Sequence, residues 1–208
     1  MAEPADTAAE LLALGAATLG ESGGQPMARR VAAAWPGARL AAPAATVRCT
    51  HGDNLAIHVG AARAPAGHAL VVDTGLDPDH GYWGEVLTTG AEARGLSGLV
   101  IDGGVRDVAA LEAHGFPVFS SGIALPGASK ERPGEVGHPV TVGEVIVHAG
   151  DWVVGDADGV VVIAAGSLPD VLASGRARDD QERKLFEALR SGRTTVELLG
   201  LDPGPVTG

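Results

Sequence analysis

The stretch 81–107, GYWGEVLTTGAEARGLSGLVIDGGVRD, gathers most of the residues able to do chemistry. Gly84 precedes Glu85, Val86 and Leu87 at the predicted start of a helix, where the first backbone N–H groups lack intrahelical acceptors and can bind an anion such as a carboxylate. Next, Asp102-Gly103-Gly104-Val105-Arg106-Asp107 follows a buried strand and opens another helix, at the end of a parallel sheet where α/β proteins place their sites. The two glycines let the turn pack tightly. Arg106 offers a bidentate fork for a carboxylate or enolate oxygen. Asp107, with Glu85, can anchor a hard divalent cation that keeps most of its waters. Together these groups make an electron sink. A plainer reading stays open, in which Arg106 and Asp107 are a helix start with a solvated charge and Glu85 complements the helix dipole.

Other chemistries find less support. DGGVRD lacks the G-x-G-x-x-G spacing of a dinucleotide loop, and there is no G-K-[ST], so nucleotide binding is not expected. The seven histidines are scattered without an HExxH or another close metal pair; His138, in a loop before a strand, stands out among them. Lys130 and Lys184, the only lysines, lie in a Pro/Gly loop and a charged helix, which disfavours Schiff-base chemistry. No G-x-S-x-G elbow occurs, and Cys49 on a predicted strand reads as core. Asp156, Asp158 and Gly159 lack the remaining calcium-loop ligands and read as a hairpin turn.

The elements that must hold these residues alternate regularly. A helix is predicted over 6–19 with Asp6 as its cap, then a surface loop to residue 43 with a short helix at 27–34. Strands at 45–51, 69–73, 98–102 and 117–121 are separated by helices at 54–63, 84–94 and 107–113, which implies parallel strands covered by helices. After a Gly/Pro-rich stretch at 124–138 come short strands at 139–142, 144–148, 152–155 and 159–164, an antiparallel or mixed segment. A helix over 167–191 ends near Gly192, and residues 201–208 read as a frayed tail. Nothing divides the chain: 1–208 reads as one domain, with a variable segment 1–44, a core 45–165 and the C-terminal helix.

Composition narrows the function classes. The 208 residues carry a net charge of -11, with no Lys/Arg stripe, so no nucleic-acid or membrane-surface partner is expected. A single cysteine excludes an internal disulfide and fits a reducing compartment. No leader-like start or long apolar run is present, so the expectation is a soluble cytoplasmic protein. The 31 glycines, about twice the usual ~7% share, have no G-X-Y period and point to tight turns.

The blocks TVRCTHGDNLAIH (47–58), WGEVLTTGAEARGLSGLVIDGGVRDVAAL (83–111), GFPVFSSG (115–122), HPVTVGEVIVHAGDWVVGDADGVVVI (138–163) and QERK (181–184) closely resemble the RraA-like family. That family includes 4-hydroxy-4-methyl-2-oxoglutarate/4-carboxy-4-hydroxy-2-oxoadipate aldolases and the regulator of ribonuclease E activity A. The resemblance implies an α/β/β/α sandwich like the swivelling phosphohistidine domain, with parallel and antiparallel strands, assembled as a homotrimer or a dimer of trimers with the site between subunits. It implies that Arg106 polarises the 2-keto oxygen and stabilises a pyruvate enolate, that Asp107 holds Mg²⁺ or Mn²⁺, and that the Gly84, Glu85, Val86 and Leu87 amides bind a small 2-oxo acid. It further implies that Glu85, and Glu182 from a neighbouring subunit, assist metal-bound water in taking the 4-hydroxyl proton. Oxaloacetate decarboxylation follows from the same sink. Departures from the family pattern are Ala110 in place of an acid three residues after Asp107, His138 in place of a frequent asparagine, and HAGD at 148–151 in place of RPGD. They leave two other readings open: a non-catalytic interaction regulator, and a lyase or isomerase for another acid.

Overall fold

The computed structural model describes residues 4–206. The chain opens with helix α1 (Pro4–Glu21), then two short strands, β1 (Gln25–Pro26) and β2 (Ala32–Ala33). Strand β3 (Leu40–Arg48), helix α2 (Leu55–Arg63), strand β4 (Ala69–Trp83), helix α3 (Glu85–Ala93), strand β5 (Gly98–Val105), helix α4 (Val108–His114) and strand β6 (Val118–Ile123) form the alternating unit. Then come β7 (Glu135–Val136), the hairpin β8 (Val140–Val142) and β9 (Val145–Val147), the hairpin β10 (Trp152–Asp156) and β11 (Gly159–Ile163), helix α5 (Leu168–Arg190) and helix α6 (Thr195–Leu199).

The strands run β1-β11-β10-β3-β4-β5-β6-β2, and β7 pairs with β3. Strand β3 joins two halves: residues 40–43 pair antiparallel with β10, and residues 44–48 pair parallel with β4. Three apolar layers follow from this path. Ile57, Leu87, Ala91 and Leu111 of α2–α4 pack on Leu70, Val72, Leu99 and Ile101. Leu11, Leu19, Val171 and Leu172 of α1 and α5 pack on Val154, Val161 and Ile163. Between the halves lie Val71, Val100, Phe119, Val153, Val160 and Val162, with the β8–β9 valines. Successive strand residues point to opposite faces, and both faces are covered, which is why the strands read as continuous Val/Ile/Leu runs. The result is the expected α/β/β/α sandwich with parallel and antiparallel strands. Gly155 permits a close approach between the halves, since a Cβ there would lie 2.6 Å from the Phe119 ring.

Several expectations are corrected. Residues 27–34 hold strand β2 and turns instead of a helix; Met27 and Ala28 donate to Val160 and Gly143 of the second half, and these tertiary bonds override a weak local propensity. Asp6 lies in the first turn of α1 and does not cap it. The helix is broken at Gly15 (φ 78°), where Asp156 accepts the Ala16 N–H at 2.8 Å. Residues 195–199 form a helix, held by a reciprocal capping box between Thr194 and Glu197. The largest difference concerns β4 and β5, both longer than predicted. Gly103 and Gly104 lie inside β5 instead of in a turn, because β4 shifts register three times beside them. A Cβ on Gly104 would lie 2.6 Å from the carbonyl oxygens of both Pro78 and His80.

Candidate functional site

Strands β4 and β5 end side by side at Trp83 and Val105, and each is followed closely by a helix, so the two crossings meet. Arg106 donates its N–H to the Trp83 carbonyl at 2.8 Å, tying one crossing to the other. Buried Trp83 stacks on Phe116 and donates its indole N–H to Thr88 at 2.7 Å, which fixes the first turn of α3. Gly84 is in extended conformation and takes no Cβ: one there would lie 2.4 Å from Asp107 Oδ2 and 3.1 Å from Arg106 Cγ.

Asp107 itself has left-handed backbone, φ 58° and ψ 34°. Such a conformation in a non-glycine residue is held at a cost of about 1–3 kcal/mol and clusters at functional sites. It turns the Asp107 side chain away from its own helix; Oδ2 accepts the Glu85 N–H at 3.1 Å and so caps α3 instead of α4. The Val86 and Leu87 amides, at the second and third positions of α3, have no acceptor within the helix.

Around this crossing opens a pocket of about 260 Å³. Gly84, Val86, Leu87, Arg106 and Asp107 line it, so five of the residues singled out in the sequence converge. Arg106 and Asp107 are each 44% exposed at their side chains, and their charged groups approach to 3.8 Å. The two proposed acids differ. Glu85 contributes its N–H, but its carboxylate lies 3.7 Å from His114 Nε2 on the flank of α3 and α4 and does not line the pocket. Glu182 sits on α5, in the opposite outer layer, paired with Arg178 at 2.9 Å. One chain alone therefore does not bring it to Arg106. His138 is exposed and away from the pocket lining, and Ala110 lies on α4.

The lining also includes Asn54, His58 and Lys130, to which the sequence reading gave no part in this site. Asn54 donates to the Tyr82 carbonyl at 2.8 Å, while its Oδ1 and the His58 Nε2 are buried without a hydrogen-bond partner. Burial and the nearby Lys130 charge hold the His58 pKa below its ordinary value, favouring neutral imidazole. The available signal was the spacing Asp53-Asn54-x-x-x-His58, which one helical turn of α2 brings to one side. Cys49 is buried and its thiol is pushed up to about 12, by burial first and then by Asp53, as a core thiol should be.

Among the described residues no group of three or more His, Cys, Asp or Glu side chains could enclose a metal ion. Asp107 is the one carboxylate that lines the pocket there. This donor set suits a hard cation such as Mg²⁺ or Mn²⁺, bound through one carboxylate with water and ligand oxygens completing the shell, and not an ion that needs a nitrogen or sulfur cage.

The RraA-like family model, described as Aldolase/RraA, matches residues 12–162. The chain belongs to the RraA-like family. A relative from Halalkalibacterium halodurans, provisionally named a 4-hydroxy-4-methyl-2-oxoglutarate aldolase, is 34% identical over 148 residues, 70% of each chain. Among solved structures, an uncharacterized protein from Pseudomonas syringae pv. tomato superposes with a TM-score of 0.81 at 27% identity, over 91% of this chain and 94% of that one. The RNA-processing inhibitor RraA from Thermus thermophilus superposes at 0.64 with 25% identity, over 78% and 93%. This RraA-like chain thus resembles both an aldolase-named relative and an RNA-processing inhibitor. No helix among the described residues is long and apolar enough to cross a membrane.

Proposed function

We propose that the pocket is the active site of a divalent-metal-dependent carbon–carbon lyase that cleaves a 4-hydroxy-2-oxo acid of the 4-hydroxy-4-methyl-2-oxoglutarate type to pyruvate and also decarboxylates oxaloacetate. The observation that carries the reading is the convergence of Arg106, Asp107 and the unpaired α3 amides on one pocket. The Val86 and Leu87 amides take the substrate C1 carboxylate, aided by the helix dipole. Arg106 donates to the 2-keto oxygen. As the C3–C4 bond breaks, its electron pair flows through C2 to that oxygen, and the guanidinium meets the charge that develops. Loss of the 4-hydroxyl proton makes C4 a carbonyl, and protonation at C3 completes pyruvate. Asp107 would hold Mg²⁺ or Mn²⁺, which when bound supplies Lewis-acid polarisation of the keto oxygen.

Because Asp107 is the pocket's one lining carboxylate among the described residues, Glu182 of a neighbouring copy is assigned the hydroxyl proton, in a homotrimer or a dimer of trimers. Glu85 supports Asp107 through its N–H. The test is pyruvate release from oxaloacetate and from 4-hydroxy-4-methyl-2-oxoglutarate. Release is expected with Mg²⁺, is expected to stop with EDTA, and is expected to fall about 10²–10³-fold in Arg106→Ala. Release indifferent to both changes contradicts the reading. Ala110, where an acid is common in the family, favours a second reading as a non-catalytic regulator like the Thermus protein; stable capture of a protein partner without turnover would select it.

A further inference from the structure

The pocket holds a second cation, Lys130, carried by a strap of chain at 126–134 that forms no helix or strand, only isolated bridges at Gly127 and Ser129. Such a strap needs an external anchor to hold a side chain in place, and the structure supplies one in Asp53. Asp53 is 1% exposed. Its Oδ2 accepts the Ser129 hydroxyl at 2.7 Å, the Glu131 N–H at 2.6 Å and the Arg132 N–H at 3.0 Å, so its bonds fall on both sides of position 130. Its Oδ1 accepts the Leu55 N–H at 2.9 Å, at the start of α2.

The backbone repeats the connection. Asn54 N–H donates to Ser129 O and Ser129 N–H donates to Gly52 O, each at 2.8 Å. The strap also runs over Arg106: a Cβ on Gly127 would lie 3.2 Å from Arg106 Nη1, and Pro126 O accepts the Gly81 N–H at 2.7 Å. Among the described residues Lys130 Nζ makes a single long hydrogen bond, 3.5 Å to Ala128 O, so its remaining donors are open to a ligand. Burial pushes the Asp53 pKa up, but the Glu131, Leu55 and Arg132 N–H groups and the Ser129 hydroxyl together hold it well below the carboxylate range.

We propose that Asp53 is a positioning residue that clamps the strap, so that the Lys130 ammonium stands on the wall of the Arg106 pocket and binds the second acid group of a dicarboxylic substrate. This rests on the lyase reading for the identity of the ligand, and it adds the determinant that separates dicarboxylates from monocarboxylates. With Arg106 and the α3 amides engaged by the 2-oxo acid end, Lys130 is the remaining cation lining the pocket.

The test is calorimetric binding of pyruvate and of 2-oxoglutarate, in the presence of Mg²⁺, to the full chain; the two acids share the 2-oxo acid end and differ by a second carboxylate. Lys130→Ala is expected to weaken 2-oxoglutarate about tenfold, the size of one lost charge-assisted hydrogen bond, and to change pyruvate less than twofold. Lys130→Arg should restore the preference. Asp53→Asn should reproduce the selective loss, and adding it to Lys130→Ala should produce no further loss, since both act through one contact. If Asp53→Asn does not fold, Ser129→Ala, which removes one strap bond, is expected to give a smaller loss of the same selectivity. Equal weakening of both acids, or additive effects in the double variant, overturns the proposal. Wild-type protein that binds neither acid overturns the lyase reading as well, whereas selective binding without turnover overturns the lyase reading alone.

Discussion

The two halves of the sandwich bury polar groups very differently. In the parallel half, Thr46, Asp53, Asn54, Thr74, Asp77, Thr88, Asp102 and Ser120 are buried; elsewhere in the fold the buried polar residues are Thr7 and Asp151. The antiparallel half is filled mainly by valines, with Val153, Val154 and Val160 to Val162 all buried. Burying a polar group is unfavourable unless it is bonded, so a region that accumulates them is spending stability on geometry. Here the geometry is irregular backbone. Asp77 accepts from Tyr82 at 2.6 Å and from Gly52 at 3.1 Å, and Thr74 donates to Asp102 O at 2.6 Å. Those bonds hold the shifted register of β4 beside Gly103 and Gly104, in the last turn-free stretch of β5 before Arg106 and Asp107. One half thus holds the irregular backbone that carries the candidate site, and the other is packed by regular apolar strands.

That contrast can be broken most sharply with two equivalent glycine substitutions. Gly84→Ala drives a methyl into Asp107 Oδ2; pyruvate release is expected to fall about 10²-fold, because small displacements at a reacting centre have effects of that size, with little change in the thermal midpoint. Gly155→Ala drives one into the Phe119 ring. Denaturant melts should then show a loss of about 1–3 kcal/mol, while turnover per folded molecule stays at the wild-type rate. Turnover spared in the first variant and lost in the second would erase the proposed division of labour. A smaller effect is expected from Ile163→Val in the α1–α5 layer, about 0.5–1.5 kcal/mol of stability and unchanged turnover.

The smallest effect is one of pH. The His58 pKa lies below its ordinary 6.5 in the folded chain, by burial and the Lys130 charge. The unfolded chain therefore binds this proton first, and stability falls as pH drops through 6.5 toward the folded value. Urea midpoints at pH 7 and pH 5 should move closer together in His58→Gln than in the wild type; an unchanged gap removes His58 from the acid sensitivity.

Much of this was legible in the sequence, for identifiable reasons. The αβ alternation and the valine-rich hairpins were visible because strands buried on both faces leave unbroken apolar runs, and Gly84, Arg106 and Asp107 were visible because a strand-to-helix crossing leaves unpaired amides beside a cation and a carboxylate. The glycines at 103 and 104 were placed in a turn, since no local pattern announces that β4 bulges against them. Lys130 and Asp53 were passed over because their relation is a long-range one, made across 76 to 79 residues of chain. Glu182 carried a family resemblance, but within one chain it lies on α5 in the opposite outer layer, and no local spacing in the sequence announces that separation.

The central claim is that Arg106, Asp107 and the first amides of α3 act on one 2-oxo acid. A crystal structure of the protein soaked with pyruvate and Mg²⁺ tests it most directly. The expected result places the carboxylate within hydrogen-bond distance of the Val86 and Leu87 amides, the keto oxygen on the Arg106 guanidinium and the cation beside Asp107; pyruvate bound elsewhere, or in this pocket with Arg106 turned away from it, would contradict the account.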